Sequence, residues 1–559
     1  MALNEMALNE SRTAAGPLSL AGLVPRLLSL EETALFHLDG ARLVRTPYPE
    51  LHADVRRVQE RLKSWGAGVG VRVGVWGTNS YSWIVHELAL LDLGCVTVTL
   101  PVTEFAGSAP ADLAERYGLE LLLADNDLLS AEGAEPAEWA APLNLDGAGL
   151  DGAGLDGAER VVAPREPAAP LDPDVFSIVF SSGTTGTVKA IQLSRVATED
   201  CLAEFGEHHA FSPDDRILVG LPLSTFQQRI MMYCAIWYGF DSIVVEPSPL
   251  MFAVLKQAEP TIMGGPPAFY EILESRFSGR PAALKAVLRA LSATIRTVLP
   301  ASLRDAALRR VFAQAHDAYG GRMRLMLSGS APLRRSTAEV FATVGLPLFQ
   351  LYGLTESGFI SWNRPDANRI GSVGRPVFPG SVRISPEGEI QVRWPRPQSP
   401  GYLGEPAEVE RATYRPDGWI ATGDLGRFDD DGFLHIVGRK KDLIITRGGV
   451  KIAPSPWEQQ VLTDTAVAQA VMVGGEEPPY VGAVIVLRDH AGDDAAERVR
   501  RRIEELNRDA VPSHRVTRVV FTREQFTREN GLMTTTLKIN RRAVAARFQT
   551  ALDNGEDWA

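Results

Sequence analysis

Lysine is scarce in this chain. Only eight occur, at 63, 189, 256, 285, 440, 441, 451 and 538, which leaves 49 arginines among the 57 basic residues. Such a bias mostly reflects genome composition, but five of the eight fall in or beside the motifs described below. Where arginine is the default cation, a clustered lysine marks a position that wants a compact point charge. Cysteine is scarcer still. Cys95, Cys201 and Cys234 are odd in number and far apart, which excludes a disulfide framework and a paired-cysteine metal site. Buried thiols in a reducing compartment are expected, hence a cytoplasmic protein. Long apolar runs are missing as well. The longest candidate, Trp83 to Leu100, is interrupted by His86, Glu87 and Asp92 and is too polar for a spanning helix. No basic segment followed by a clean apolar stretch opens the chain, so neither a signal peptide nor stable membrane insertion is expected. There is no basic excess: the net charge is −12 and the pI about 5.4, which argues against nucleic acid as a partner.

Several catalytic signatures are absent too. No GxSxG nucleophile turn occurs, and the glycines between Gly66 and Gly77 fit no GxGxxG register. His86-Glu87 begins like a zinc HExxH, but position 90 is Leu. The fivefold-period Gly/Asp segment at 145–155 has too few aspartates for calcium repeats and reads as a surface loop. The Met1–Glu5 pentapeptide, repeated at once as Met6–Glu10, looks like a duplicated start and is set aside.

What remains is a soluble, enzyme-like composition, 45% apolar and 23% charged, over 559 residues. That length suggests roughly 3–4 units of common size. Short apolar strands (71–75, 175–180, 217–221, 243–245) alternate with helical patterns (83–93, 281–318), the signature of α/β layers. After Arg439 the pattern changes to a smaller α+β unit, with strands at 481–487 and 516–521 and a charged helix at 495–506. The expected division is a large domain over 11–438, a junction at 439–442, and a small domain over 443–559.

The most informative stretch follows the strand at 175–180: Ser181-Ser182-Gly183-Thr184-Thr185-Gly186-Thr187-Val188-Lys189. Glycines that let the backbone N–H groups approach, hydroxyl donors and one lysine make a phosphate-holding loop. It is not a Walker A motif, because its glycines are two residues apart and the lysine follows three positions after the second. Two further stretches complete the pattern: Tyr352-Gly353-Leu354-Thr355-Glu356-Ser357-Gly358, and the run from Gly418-Trp419-Ile420-Ala421-Thr422-Gly423-Asp424 to Gly438-Arg439-Lys440-Lys441-Asp442. In this order the three resemble the adenylate-forming enzymes, which include acyl-CoA synthetases, peptide-synthetase adenylation domains and beetle luciferases. Leu221-Pro222-Leu223 with Arg229, Met326 to Leu333, and Asn530 to Lys538 look most like long-chain fatty acyl-CoA synthetases. The resemblance spans about Leu51 to Arg542.

It implies a multilayered α/β domain, its sheets flanked by helices, and a mobile α+β lid. The implied chemistry is attack of a carboxylate on the α-phosphate of ATP, then thioester formation with coenzyme A or a carrier-protein phosphopantetheine. A carboxylic acid is already ionised at neutral pH, so no general base is required; neutralising two anions is the harder task. By resemblance, Ser181, Ser182, Gly183, Thr184, Thr185, Gly186 and Lys189 hold the β- and γ-phosphates. Thr355 contacts the α-phosphate, Glu356 ligates Mg²⁺, and Tyr352 stacks on adenine. Asp424 binds the ribose hydroxyls, Arg439 adds a ribose or phosphate contact, and Ser330 belongs to the same nucleotide site. Lys538 is the catalytic lysine, Lys441 the hinge, Gly448 and Gly449 border the thiol route, and Thr225, Phe226 and Gln227 border the acyl pocket. The implied partners are a small carboxylic acid and, on one alternative, an acyl carrier protein; another is a non-catalytic acyl- or nucleotide-binding protein. The chain departs from the usual pattern at Val188 and Ala190 (commonly Pro and Gly), Thr225 (often His), Trp394 (commonly Gly) and Arg447 (commonly small).

Overall fold

The computed structural model describes residues 19–129, 140–143, 170–181, 188–246, 250–445, 449–475, 480–489, 491–492, 494–533 and 539–555. Two large sheets dominate. The first has six strands in the order Ala140–Pro142, Leu121–Ala124, Arg72–Trp76, Val96–Leu100, Val175–Ser181, Lys189–Ser194. It is parallel except for its last pair, which is antiparallel. The second has nine strands, parallel through its centre and antiparallel at both ends, and carries Leu325–Ser328, Leu348–Leu354 and Gly358–Trp362 towards one edge. A four-stranded antiparallel sheet, ending in Ile420–Phe428 and Leu434–Arg439, follows. Alternation of apolar runs with helical patterns thus resolves as parallel sheets covered by helices, in line with the expected α/β class.

Helices Tyr81–Asp92 and Phe226–Tyr238 lie in the core shared by the two large sheets. Each is buried on nearly every side, which explains why neither shows a clear polar face in sequence. Their contact is not purely apolar. Arg229, fully buried, meets the buried Glu87 at 2.9 Å and Ser177 Oγ at 3.0 Å, and Tyr233 donates to the same Glu87 oxygen. A fully desolvated pair of this kind adds little net stability, but removing one partner strands the other charge. The three thiols are buried, and burial pushes those of Cys95 and Cys201 up to about 12.

After Arg439 the chain forms the hairpin Ile444–Ile445/Lys451–Ile452 and the three-stranded sheet Val467–Gly475, Tyr480–Leu487, Arg518–Thr522. Helices Pro454–Val461, Ala495–Asp509 and Arg541–Asn554 cover it, with apolar clusters of their own. Most of the strands and helices expected from sequence recur within a few residues. The strand expected at 217–221 stops at Val219, and Gly220 lies outside it. The Gly/Asp segment at 145–155 lies outside the described residues.

His86 sets a pH limit on this core. Its Nδ1 faces the Ser82 carbonyl at 2.8 Å, so that nitrogen carries the proton, and its Nε2 accepts from Arg61 at 3.2 Å. Protonating Nε2 would aim a second N–H at a guanidinium inside the core. Burial first, and Arg61 in addition, lower its pKa to about 4, against 6.5 ordinarily. An unfolded chain therefore takes up a proton between pH 6.5 and 4 that the folded chain refuses, so stability rises with pH in that window and is lost as pH falls through it. The shift corresponds to roughly 3 kcal/mol. Denaturant midpoints measured from pH 7 to 4.5 should fall steeply in the parent and less steeply in His86→Gln, whose amide can serve both partners. Equal slopes would count against His86 as the source.

Candidate active site

Among the described residues, Ser181, Lys189, Gln227, Ser330, Thr355 and Glu356 gather where strands from both large sheets end, the region where open α/β sheets bind ligands. Ser181 ends the strand Val175–Ser181 and pairs with Lys189, the first residue of the returning strand. The two ends of the phosphate loop are therefore fixed to each other. Ser182 to Thr187 lie outside the described residues, as do Gly448 and Lys538.

On the nine-stranded sheet, Tyr352, Gly353 and Leu354 end one strand, and Thr355, Glu356 and Ser357 form a tight turn into Gly358–Trp362. Glycine is required at 353: a Cβ there would stand 2.6 Å from the Gly358 carbonyl. Ser330 follows the strand Leu325–Ser328 in a left-handed conformation, φ 68°. That is uncommon for a residue with a side chain and found more often at functional turns than elsewhere.

Asp424 is buried where the four-stranded sheet meets the Tyr352 strand. Its two oxygens take different donors: Tyr352 Oη at 2.7 Å and Arg439 Nε at 2.5 Å. Asp424 and Arg439 face each other across adjacent strands, and the Thr422 hydroxyl accepts from the Asp424 amide at 3.1 Å. Burial, and next the Asp424 carboxylate, hold the Tyr352 phenol well above its ordinary range. Burial works to lower the Arg439 pKa, but Asp424 more than offsets it, and the guanidinium stays charged.

Tyr402 was not picked out by the sequence and proves central. Its hydroxyl donates to Glu356 Oε1 at 3.1 Å, while Lys189 Nζ lies over its ring, 4.6 Å from the centroid. One buried aromatic therefore touches the loop lysine with its face and the turn carboxylate with its rim, a cation–π contact and a hydrogen bond on one side chain. Tyr402 bridges to Ile191, two residues after Lys189. No motif announces it, because its partners lie far away in sequence.

Beside this polar group is a cavity of about 40 Å³, walled chiefly by apolar groups including Phe226, Ile230, Leu351 and Phe359, with Gln227, Ser330 and Cys201 also lining it. Gln227 joins the two regions, since its Nε2 lies 3.5 Å from Thr355 Oγ1. Of the three residues expected to border the acyl pocket, Phe226 and Gln227 line this cavity. Thr225 does not line the cavity; it sits half-buried at the N-terminal end of helix Phe226–Tyr238. Met231, Met232 and Tyr233 are core residues.

At the junction, Lys440 reaches the buried Glu389 at 3.3 Å, and Asp442 lies 3.8 Å from Arg541 of the last helix. Lys441 is exposed, yet desolvation of its ammonium, and then Arg439, lower its pKa, with Lys189 adding to the effect. Its charge therefore shares the field of the phosphate-loop lysine. Gly449 adopts φ 77° with open space around its Cα. Glu356 is a half-buried hard-oxygen donor. Among the described residues no cluster of three or more His, Cys, Asp or Glu side chains could hold a metal unaided. One carboxylate supplemented by phosphate oxygens and water is the set Mg²⁺ ordinarily takes, so the donors fit that ion.

The model of the AMP-binding enzyme family matches residues 31–403, and that of the AMP-binding enzyme C-terminal domain matches 441–555. Long-chain-fatty-acid–CoA ligase FadD15 of Mycobacterium bovis is 29% identical over 89% of this chain and 90% of its own length. Fatty acyl-CoA synthetase A of Dictyostelium discoideum is 24% identical over 90% of this chain and 85% of its own. In fold the chain is similar to ATP-bound MatB from Rhodopseudomonas palustris, with a TM-score of 0.71 and 24% identity over 95% of this chain and 99% of that one. It is also similar to the o-succinylbenzoate CoA synthetase MenE of Bacillus subtilis in complex with its acyl-adenylate, with a TM-score of 0.69. With two-thirds of its length matched by one family model and its motif residues gathered at one site, the chain belongs to the AMP-binding enzyme family of adenylate-forming enzymes.

Proposed function

We propose that the protein is an acid–thiol ligase that activates a largely apolar, fatty-type carboxylic acid with ATP and Mg²⁺ and passes the acyl group to coenzyme A. The observation that carries this reading is the juxtaposition at Gln227: one residue both lines an apolar cavity and contacts Thr355 of the nucleotide turn. An acid with its tail among Phe226, Ile230 and Phe359 would present its carboxylate to that turn.

In the first step a carboxylate oxygen attacks the α-phosphorus, the bond to the bridging oxygen breaks, and pyrophosphate leaves. Both reactants are anionic, so the barrier depends on cations and N–H dipoles set in place beforehand. In this reading Ser181, Lys189 and the loop between them hold the β- and γ-phosphates, and Glu356 holds Mg²⁺, which neutralises phosphate charge when bound. Asp424 receives the ribose hydroxyls, Tyr352 packs on adenine, and Arg439 and Ser330 complete the nucleotide site. Lys538, carried on the lid, contacts both the carboxylate and the α-phosphate. Tyr402 would then be a positioning residue, keeping Lys189 and Glu356 at a set separation before ATP arrives.

In the second step a thiolate attacks the acyl carbon and AMP leaves with its phosphate oxygen. A thiol of pKa about 8.5 is only a few per cent ionised at neutral pH, but the thiolate is a strong nucleophile. Residues 11–438 and 443–559 would move relative to each other about 439–442, with Lys441 as the pivot and Gly448 and Gly449 beside the incoming pantetheine arm. The Lys440–Glu389 and Asp442–Arg541 contacts flank that pivot, which supports the assignment. A cytoplasmic location fits its three buried thiols.

Mass spectrometry of products from enzyme, ATP, Mg²⁺ and a pool of carboxylic acids, with and without coenzyme A, tests the reading directly. An acyl-CoA ester of an apolar acid is expected. Acyl-AMP that persists with coenzyme A present would point to a carrier protein, and nucleotide binding without pyrophosphate release to a non-catalytic protein. Lys538→Ala should slow acyl-AMP formation more than ~10-fold, a threshold of only ~1.4 kcal/mol. Tyr402→Phe keeps the ring beneath Lys189 and loses the hydroxyl's bond to the Glu356 carboxylate together with its contact to Thr413 Oγ1. Pyrophosphate release should fall roughly 10- to 150-fold, with the apparent Mg²⁺ requirement raised, because such a bond contributes ~1.5–3 kcal/mol. Tyr402→Leu, which also loses the cation–π contact, should fall further; parity between the two would remove Lys189 from the account.

A further inference from the structure

The helix Ala282–Val298 touches the body along one narrow side and leaves a stripe of aliphatic side chains exposed. Its cationic and polar positions, Lys285, Arg289, Ser292 and Arg296, recur at steps of four and three and so lie along one side. The side that meets the body lies at the edge of this row: Ser292 and Ile295 are buried, Leu288 packs against the core, Lys285 Nζ donates to the Ser278 carbonyl at 3.0 Å and Arg296 donates to the Ala342 carbonyl, while Arg289 is exposed. Only Ser292 and Ile295 of the whole helix are buried. The other side carries Leu284, Val287, Leu291 and Val298, also at helical steps, and they are exposed, Val287 to 61% and Val298 to 71%. The next helix, Ala301–Val311, packs on this one and exposes Leu303 and Val311. Scattered exposed aliphatics need no explanation, but a stripe along a 17-residue helix, about 25 Å at 1.5 Å per residue, does.

Charge accompanies the stripe. From 275 to 316 the sequence carries eight arginines and lysines and one acid, Asp305, in a chain whose net charge is −12. Arg276, Arg280, Arg289, Arg309 and Arg310 are exposed, and among the described residues none makes a salt bridge. Exposed aliphatics on a helix flanked by arginines match an interfacial helix, which lies in the plane of a bilayer with its apolar side among the upper acyl chains. We propose that helices Ala282–Val298 and Ala301–Val311 form a docking face for an anionic lipid surface.

Electrostatics favours this occupant. The Debye length is about 8 Å at physiological ionic strength, so a bilayer senses the local cationic excess and not the distant acidic surfaces. The rest of the chain carries the net negative charge, which the same lipid repels, so this aliphatic and cationic face is the one expected to meet the membrane. The aliphatic stripe distinguishes lipid from an acidic protein, which would need carboxylates opposite the arginines and would leave Val287 and Val298 with little to meet. No helix among the described residues is long and apolar enough to cross a membrane, and attachment of this kind is peripheral and reversible. The inference does not depend on which acid or acceptor the enzyme uses.

Flotation of the full chain with vesicles tests it, comparing phosphatidylcholine alone with phosphatidylcholine containing about one-third phosphatidylglycerol. Binding to the anionic vesicles is expected to exceed binding to the neutral ones on the order of 10-fold, and most of it should be lost at ~0.5 M salt. Leu291→Glu and the pair Arg309→Glu/Arg310→Glu should each abolish it. All three positions are exposed, so adenylation of a water-soluble acid should be unchanged and reports that the variants are folded. Equal binding to both vesicle types, no binding, or parent-like flotation of the variants would overturn the proposal. So would a dimer, or a complex with an acidic carrier protein, that forms without vesicles and is lost in Leu291→Glu.

Discussion

Asp424 is a buried carboxylate bonded to Tyr352, whose ring packs with Ile360, Ile390, Val392 and Leu434, and much of the site's geometry follows from how that charge is satisfied. A buried carboxylate without donors would be costly. Here one donor, Tyr352, comes from the nine-stranded sheet, and the other, Arg439, from the last strand of the four-stranded sheet. Satisfying the charge therefore ties the two sheets together. The chain then leaves Arg439 directly into the 440–442 turn, whose neighbours include Glu389 and Arg541. One ion pair sits between the nucleotide side of the molecule and the start of its C-terminal part.

A second polar arrangement has the same logic at longer range. Tyr402 holds Lys189 and Glu356, which are 167 residues apart in sequence, without spending either on a direct ion pair. A direct Lys–Glu bridge would neutralise the two charges against each other. An aromatic face and a phenol hydroxyl fix both without pairing the cation with the carboxylate. Deeper in, the Arg229–Glu87–Ser177 contacts tie helix Phe226–Tyr238 to the strand that leads into the phosphate loop. The cavity wall and the strand that ends at Ser181 are thus anchored to the same core. Surface physics is separate from all of this. Helix Ala282–Val298 takes part in neither arrangement, and its exposed stripe costs the site nothing.

What could be read without coordinates was local. Strand and helix periods, the hydroxyl- and glycine-rich loop ending in Lys189, the turn around Glu356 and the Asp424–Arg439 spacing are written in consecutive residues, because backbone conformation and phosphate binding are set over a few positions. These patterns also sufficed to place the chain in its family. Cysteine scarcity foretold buried thiols, and the helix expected at 83–93 recurs as Tyr81–Asp92, although its burial on nearly every side was not legible in sequence. What only the tertiary structure decided were relations between distant segments. Tyr402 as the link between two motifs, Glu87 as the partner of Arg229, and Cys201 in the cavity wall have no sequence signal, since each depends on which sheets stack and in what register. The same holds for orientation. The apolar and cationic sides of helix Ala282–Val298 are evident from its period, but period alone cannot say which side faces water. That was decided by which side found partners in the body, and there Ser292 and Ile295 went inward while Val287 and Val298 did not.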